Sequence, residues 1–223
     1  MSAAADRTLV KLCGFTDPDQ AAHAAESGAD FVGVVLWEGS TRAVRDRGLA
    51  AAICAATWES RARPVGVFVD ASVDQVLDLA SYLDLAAVQL HGGESEDAVQ
   101  RLSGHGLQVW KALQVAPELR TEDLGNEHRA AGAQALLIDG WHPTLPGGTG
   151  VRADWTLAAE LAQRGPLVLA GGLSADNIAQ AIETVRPWAV DASSSLERAP
   201  GDKDPQRVEA FLSAAGAWAR EAS

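Results

Sequence analysis

The chain alternates, eight times over, between a short apolar run rich in β-branched residues and a longer amphipathic run rich in alanine and leucine. The short runs are typical of strands buried on both faces, and the long runs are typical of the helices that cover them. The sequence therefore predicts a parallel sheet built from repeated strand–helix units. The predicted strands are 8–13, 31–36, 64–69, 86–90, 107–112, 135–139, 167–170 and 188–192. The predicted helices are 18–27, 45–59, 73–83, 94–103, roughly 119–131, 155–164, 175–185 and 205–220.

The number and length of these units favour one architecture. Eight units in 223 residues give about 28 residues per unit, which suits a small α/β barrel of the (βα)8, or TIM, type. The alternative is an open doubly wound sheet, but no G-x-G-x-x-G turn follows the first strand. No linker or low-complexity tract divides the chain. We therefore expect a single-domain (βα)8 barrel over residues 1–223.

Charge and cysteine content limit the partners and the compartment. The formal net charge of -12 argues against nucleic acid and against an anionic membrane surface, so an anionic ligand must be held by a local group of residues. Two cysteines, Cys13 and Cys54, cannot form a disulfide framework, which fits a reducing compartment. No apolar run approaches the roughly 20 residues that a membrane-spanning helix needs. We expect a cytoplasmic protein, either a monomer or a homodimer.

In a barrel, functional residues belong at the carboxyl ends of the strands. That rule selects a short set of side chains and glycines from the sequence. They are Cys13, Arg42, Asp70, Gln89, His91, Asp139, Gly171, Gly172, Asp191, Ser193 and Ser194.

Cys13 and Asp139 are the candidates for acid–base chemistry. A thiol needs only a modest change of pKa to act as a base or nucleophile near neutral pH, although a lone cysteine is more often a small buried side chain. A carboxyl group at a barrel mouth could act as a general acid, or it could simply cap a loop. Lys11 lies on the same face of its strand as Cys13, and we expect it to form an ion pair inside the barrel.

Two neighbouring loops predict a phosphate site. Gly171 and Gly172 follow the seventh strand, and Ser193, Ser194 and Ser195 follow the eighth. Backbone N–H groups and hydroxyls at these two places commonly hold phosphate in barrels, although tight turns alone would also use glycine. The long connection after Asp139 contains Gly148 and could close over a ligand.

The remaining candidates are less specific. Arg42 could bind a carboxylate through two hydrogen bonds, although a lone arginine is more often solvated. The five histidines show no metal-binding spacing, so we predict no metal.

Taken together, the motifs resemble those of the phosphoribosylanthranilate isomerases of tryptophan biosynthesis. The resemblance runs almost end to end, and its order and spacing are specific. The matching segments are VKLCGFT, SGADFVGVV, STRAV, VGVFVD, AAVQLHGGE, VWKAL, LLID, GGTG…DW, LAGGLSADNI, RPWAVDASS and PGDKD.

The resemblance implies a cofactor-free enzyme that acts on a small phosphorylated substrate. The reaction would be an Amadori rearrangement of N-(5-phosphoribosyl)anthranilate to an aminodeoxyribulose phosphate. Cys13 would then be the general base and Asp139 the general acid. Arg42 would pair with the anthranilate carboxylate. The other substrate-binding residues would be His91, Gly148, Gly171, Gly172, Asp191, Ser193 and Ser194.

One departure from the family pattern bears on the phosphate site. Ser195 replaces the usual glycine after the eighth strand, and serine would strain the loop if that position had a positive φ. Two alternatives remain at this stage. One is the related histidine-pathway isomerase, which has aspartate in place of Cys13. The other is a paralogue that binds a sugar phosphate without catalysis.

Overall fold

Eight parallel strands close into a barrel in the order of the chain. The structure is a computed structural model that describes residues 7–113, 123–140 and 153–221, with side chains described as far as 216. The predicted TIM barrel is confirmed, and an open sheet is excluded because β1 pairs with both β2 and β8. The strands are β1 Leu9–Cys13, β2 Phe31–Val35, β3 Arg63–Phe68, β4 Ala87–Leu90, β5 Val109–Leu113, β6 Ala135–Ile138, β7 Leu167–Leu169 and β8 Ala189–Ala192.

A helix follows each strand, as the sequence predicts. The helices are α1 Pro18–Glu26, α2 Arg47–Glu59, α3 Val73–Tyr82, α4 Glu96–Gly104, α5 Asn126–Ala130, α6 Trp155–Ala162, α7 Ile178–Val185 and α8 Pro205–Glu221. Asp17 caps α1, and Ser72 and Gln75 form a capping box at α3. At these two helices the capping residues fix the first helical residue, and both helices begin where the sequence predicts.

Besides α5, three helices begin two or three residues later than predicted: α2, α4 and α7. The helix α2 begins at Arg47, after its cap at Asp46, and ahead of α4 and α7 side chains bind backbone groups. Glu94 accepts hydrogen bonds from the N–H groups of Asp70 and Gly92, so α4 starts only after its cap at Ser95. Asn177 accepts from the N–H of Ser174, which forms a turn ahead of α7. The first residues predicted for the fifth helix lie outside the described residues.

Aromatic side chains fill the lower interior of the barrel. Trp110 is fully buried, with its ring centroid 4.9 Å from Phe31 and 5.4 Å from Trp188 in edge-to-face arrangements. Val65, Ala135 and other small or branched residues complete this layer. A packed interior means that ligands reach only the mouth of the barrel.

A short antiparallel ribbon joins the last strand to the last helix. After a 3-10 turn at Ser194–Leu196, β9 (Glu197–Ala199) pairs with β10 (Asp202–Lys203). The ribbon places Glu197 and Lys203 beside the loop that follows β8. Among the described helices, none has the length and apolar character needed to cross a membrane.

Candidate active site

A cavity opens at the carboxyl ends of the barrel strands, where the sequence predicts the functional residues. Of the predicted site residues within the described part of the chain, all but Asp70 line this cavity. Asp70 instead accepts a hydrogen bond from the N–H of Gly93. Gly148 lies outside the described residues. Residues from β1, β2, β4, β6, β7 and β8 or their following loops therefore meet at one place. The members are Cys13, Arg42, His91, Asp139, Gly171, Gly172, Asp191, Ser193 and Ser194.

Cys13 lies at the end of β1, and its side chain belongs to a small apolar cluster. Val35 and Val67 are buried against it, and Trp37 packs on the same cluster. The residue is 8% exposed, so the thiol lines the cavity while most of its surface is covered. This apolar wall next to Arg42 suits a flat ring that carries a negative group.

Lys11 forms a buried ion pair directly below Cys13. The ammonium Nζ lies 2.6 Å from Asp191 Oδ2, and the β1–β8 register places these two residues side by side. The ion pair expected for Lys11 is therefore confirmed. The second carboxylate oxygen, Asp191 Oδ1, makes no hydrogen bond within the described part of the chain. Because Asp191 lines the cavity, that oxygen is available to accept a hydrogen bond there.

Asp139 follows β6 and faces His91. Asp139 Oδ2 lies 3.6 Å from His91 Nε2, and Oδ1 accepts a 2.7 Å hydrogen bond from the N–H of Gly140. The amide nitrogen of Gln89 is 2.7 Å from His91 Nδ1. An amide NH2 group only donates, so in this arrangement a neutral His91 carries its hydrogen on Nε2, toward Asp139. The carboxyl group is thereby oriented at the cavity wall.

Arg42 is held by a carboxylate that the sequence does not reveal. Its Nε and Nη2 donate to both oxygens of Glu197, at 2.7 to 3.1 Å. Lys203 also donates to Glu197, at 2.7 Å, and both Lys203 and Glu197 are buried. One carboxylate therefore fixes two cations at the edge of the cavity, and Arg42 Nη1 is not used in that pair.

The two predicted phosphate loops lie next to each other. Gly171 has φ of +83°, and a side chain there would collide with the backbone of Gly140 beside Asp139. Ser193 donates to the carbonyl of Cys13 at 2.9 Å and receives a hydrogen bond from Lys203. The phosphate-loop residues are thus tied directly to the strand end that carries the thiol.

The strain expected at Ser195 is absent. Ser195 is not among the residues with positive φ, so the condition for a strained loop is not met in this chain. Instead, its hydroxyl donates a 2.6 Å hydrogen bond to the carbonyl of Leu173. The serine joins the loop after β8 to the loop after β7.

Comparison with known proteins agrees with this geometry. The family model described as N-(5'-phosphoribosyl)anthranilate (PRA) isomerase matches residues 10–214. The chain belongs to this isomerase family. It is 45% identical to the N-(5'-phosphoribosyl)anthranilate isomerase of Chromohalobacter salexigens over 96% of both chains.

Solved structures of family members share the fold. The phosphoribosyl anthranilate isomerase of Thermotoga maritima superposes with a TM-score of 0.82 at 35% identity, over 94% of this chain and 99% of that one. A second structure, with a TM-score of 0.79 and 34% identity over the same shares, is a family enzyme in complex with reduced 1-(o-carboxyphenylamino)-1-deoxyribulose 5-phosphate.

Several residues that build this isomerase-family site are not predicted from the sequence. Glu197 and Lys203 hold Arg42 and Ser193, and Trp37 forms part of the apolar wall. The only signal for Lys203 is its place in the PGDKD segment. No group of histidine, cysteine or acidic residues in the described ranges is arranged to hold a metal ion.

Proposed function

We propose that this chain isomerises N-(5'-phosphoribosyl)anthranilate to 1-(2-carboxyphenylamino)-1-deoxyribulose 5-phosphate, with Asp139 as the general acid and Cys13 as the general base. The observation that carries the proposal is that the two groups enter one cavity from β1 and from the end of β6, in a chain of the isomerase family. The relative solved with the reduced deoxyribulose phosphate binds a ligand of the same chemical type.

The acid step opens the sugar ring. A proton from Asp139 goes to the furanose ring oxygen while the C1'–O bond breaks, and the anilino nitrogen lone pair forms the C1'=N bond. Protonating the leaving oxygen is what a general acid contributes. His91, 3.6 Å from the carboxyl group, is placed to orient it during this step.

The base step makes the enolamine. The C1'=N bond acidifies the neighbouring C2'–H, and the Cys13 thiolate takes that proton, so the electron pair forms a C1'=C2' bond and the nitrogen returns to neutral. Loss of the enol proton and protonation of C1' then give the ketone. The overall change is an isomerisation that consumes no oxidant, reductant or cofactor.

The binding groups match the parts of this substrate. The wall formed by Val35, Trp37 and Val67 suits the anthranilate ring, and Arg42 suits its carboxylate. The free Oδ1 of Asp191 suits a sugar hydroxyl. The loops at Gly171, Gly172, Ser193 and Ser194 suit the phosphate, which backbone N–H groups hold in a protein whose net charge is negative.

The test is the fluorescence decay of N-(5'-phosphoribosyl)anthranilate with purified protein. We expect turnover by the native chain and a loss of at least about 10²-fold in Cys13→Ser and in Asp139→Asn. Cys54→Ser is the matched control, because Cys54 is buried in α2 away from the cavity. Near-normal turnover in either site variant would refute its assigned role.

A parallel assay separates the other candidate functions. Turnover of the histidine-pathway substrate, with none of the anthranilate compound, would favour the related isomerase. Binding of a product analogue with no turnover of either substrate would favour a sugar-phosphate-binding paralogue. Ser195 was the sole sequence feature in favour of the paralogue, and its unstrained backbone removes that support.

A further inference from the structure

All three lysines of the chain are buried, and one of them lies beneath the proposed base. Lys11 precedes Cys13 by two residues on β1, so both side chains point into the barrel, one layer apart. We propose that Lys11 is a positioning residue for the reaction: its ammonium group, held in place by Asp191, supplies the charge that stabilises the Cys13 thiolate. This rests on the proposed role of Cys13 as the base.

The ammonium group of Lys11 contacts the Asp191 carboxylate and also interacts with the Cys13 thiol. Lys11 is fully buried, and its Nζ is 2.6 Å from Asp191 Oδ2. A buried lysine needs a partner, and Asp191 satisfies that need. The ammonium charge also acts on the thiol: Lys11 lowers the pKa of Cys13, and Cys13 raises the pKa of Lys11.

Other charged groups face the thiol from the neighbouring elements. Arg42 comes from the connection after β2, Lys203 from β10 and Asp191 from β8. The cluster thus holds three cations, which are Lys11, Arg42 and Lys203. Asp191 and Glu197 supply two negative charges. The cluster is therefore one negative charge short of balance. Ionisation of the thiol would supply that charge.

Across the cavity, Asp139 and His91 form a separate facing pair. They lie on β6 and β4 or their following loops, away from the ion pair beneath the thiol. Both residues stay unchanged in every variant proposed below, so they affect each titration alike.

The two members of the ion pair act on the thiol in opposite directions. Burial raises the pKa of Cys13 above its usual value, and the positive charge of Lys11 offsets part of that increase, as the charge of Lys203 does more weakly. The negative charge of Asp191 raises the pKa. Loss of Lys11 and loss of Asp191 therefore have opposite consequences, although both break the same ion pair.

The experiment is a pH titration of the thiolate ultraviolet absorbance, without substrate, in a Cys54→Ala background that leaves one cysteine. We expect Lys11→Met to move the midpoint up by about one pH unit or more, the usual effect of losing an adjacent opposite charge. We expect Asp191→Asn to move it down. A role for the pair in structure alone predicts no shift, or shifts of the same sign.

Three further variants complete the test. Lys11→Arg keeps the charge and should restore a midpoint near that of the parent. Lys111→Met is the matched control, because Lys111 is equally buried in an ion pair with Glu94 but lies on β5, away from Cys13. The double variant Lys11→Met/Asp191→Asn leaves neither member of the ion pair charged. Its titration midpoint should lie at a higher pH than that of Asp191→Asn. It supplies the comparison if Lys11→Met alone does not fold.

Two results would overturn the proposal. One is an unchanged titration midpoint in Lys11→Met, and the other is a double variant whose midpoint equals that of Asp191→Asn. Neither result depends on turnover. A chain that is inactive on the anthranilate substrate but shows the opposite shifts would contradict the proposed function, while the stabilisation of the Cys13 thiolate by Lys11 would stand.

Discussion

Gly33 lies directly opposite Cys13 in the β1–β2 register, and a Cβ at this position would be 2.6 Å from the Cys13 Sγ. The glycine makes room for the thiol. We expect Gly33→Ala to displace Sγ and lower turnover, because a shift of about 1 Å can cost 10²-fold in rate. Overpacking should also destabilise the fold by about 1–3 kcal/mol. Steady-state kinetics and urea unfolding measure the two effects.

Gly104→Ala is the control for this substitution. Gly104 has a negative φ and nothing within 4 Å of an added Cβ, so the same methyl group meets open space there. Its turnover should match that of the native chain. Equal losses in both variants would contradict the steric role of Gly33.

A second prediction concerns Glu197, the shared partner of Arg42 and Lys203. Glu197→Gln keeps the shape but removes the charge that holds two cations, so we expect a loss of about 3–5 kcal/mol in the free energy of unfolding at pH 7. The Michaelis constant should rise, because Arg42 loses its fixed orientation. Asp202→Asn is the control: its exposed pair with Arg198 is in the same ribbon, and we expect little change.

The contribution of Glu197 to stability should depend on pH. Burial raises the pKa of Glu197, but the hydrogen bonds from Arg42 and the charge of Lys203 outweigh it, so the net pKa is lowered. The stabilisation is then fully present above the unfolded pKa of about 4.3 and is lost as the pH falls through the lowered folded value. The difference in stability between native chain and Glu197→Gln should shrink on acidification. A constant difference from pH 7 to the acid limit would be inconsistent with this.

A third prediction concerns the link between the two phosphate loops. Ser195→Ala and Ser195→Gly both remove the hydrogen bond to Leu173, which is worth about 0.5–1.5 kcal/mol. We expect both to raise the Michaelis constant several-fold with little change in kcat. If the glycine variant instead binds substrate more tightly, the serine hinders the loop. Isothermal titration with inorganic phosphate gives an independent measure.

A fourth prediction concerns the reactivity of the two cysteines. Burial raises the pKa of Cys54 to about 12, and its side chain is almost wholly covered. We expect iodoacetamide to modify Cys13 first and Cys54 only on unfolding, as followed by mass spectrometry. A phosphorylated product analogue should slow the first reaction. Equal rates at the two thiols would show that Cys13 does not face the cavity.

The sequence predicts the barrel and most of the site because both depend on order along the chain. The apolar runs fall at the strands, and a functional residue such as Asp139 follows its strand at once. Contacts between distant segments cannot be read this way: Glu197 binds Arg42 across 155 residues. The start of α7 is missed for a different, local reason: Asn177 forms hydrogen bonds with Gly172 and Ser174, and the resulting turn delays the helix.

The burial of Lys11, Lys111 and Lys203 leaves the folded protein without an accessible lysine. Its outward positive charge comes from arginine, which does not react with acylating reagents under mild conditions. Succinimidyl esters and acetic anhydride should therefore leave these three side chains unmodified until the barrel opens. The rate of lysine acylation should therefore report the rate of global unfolding in the native sequence, without an engineered probe.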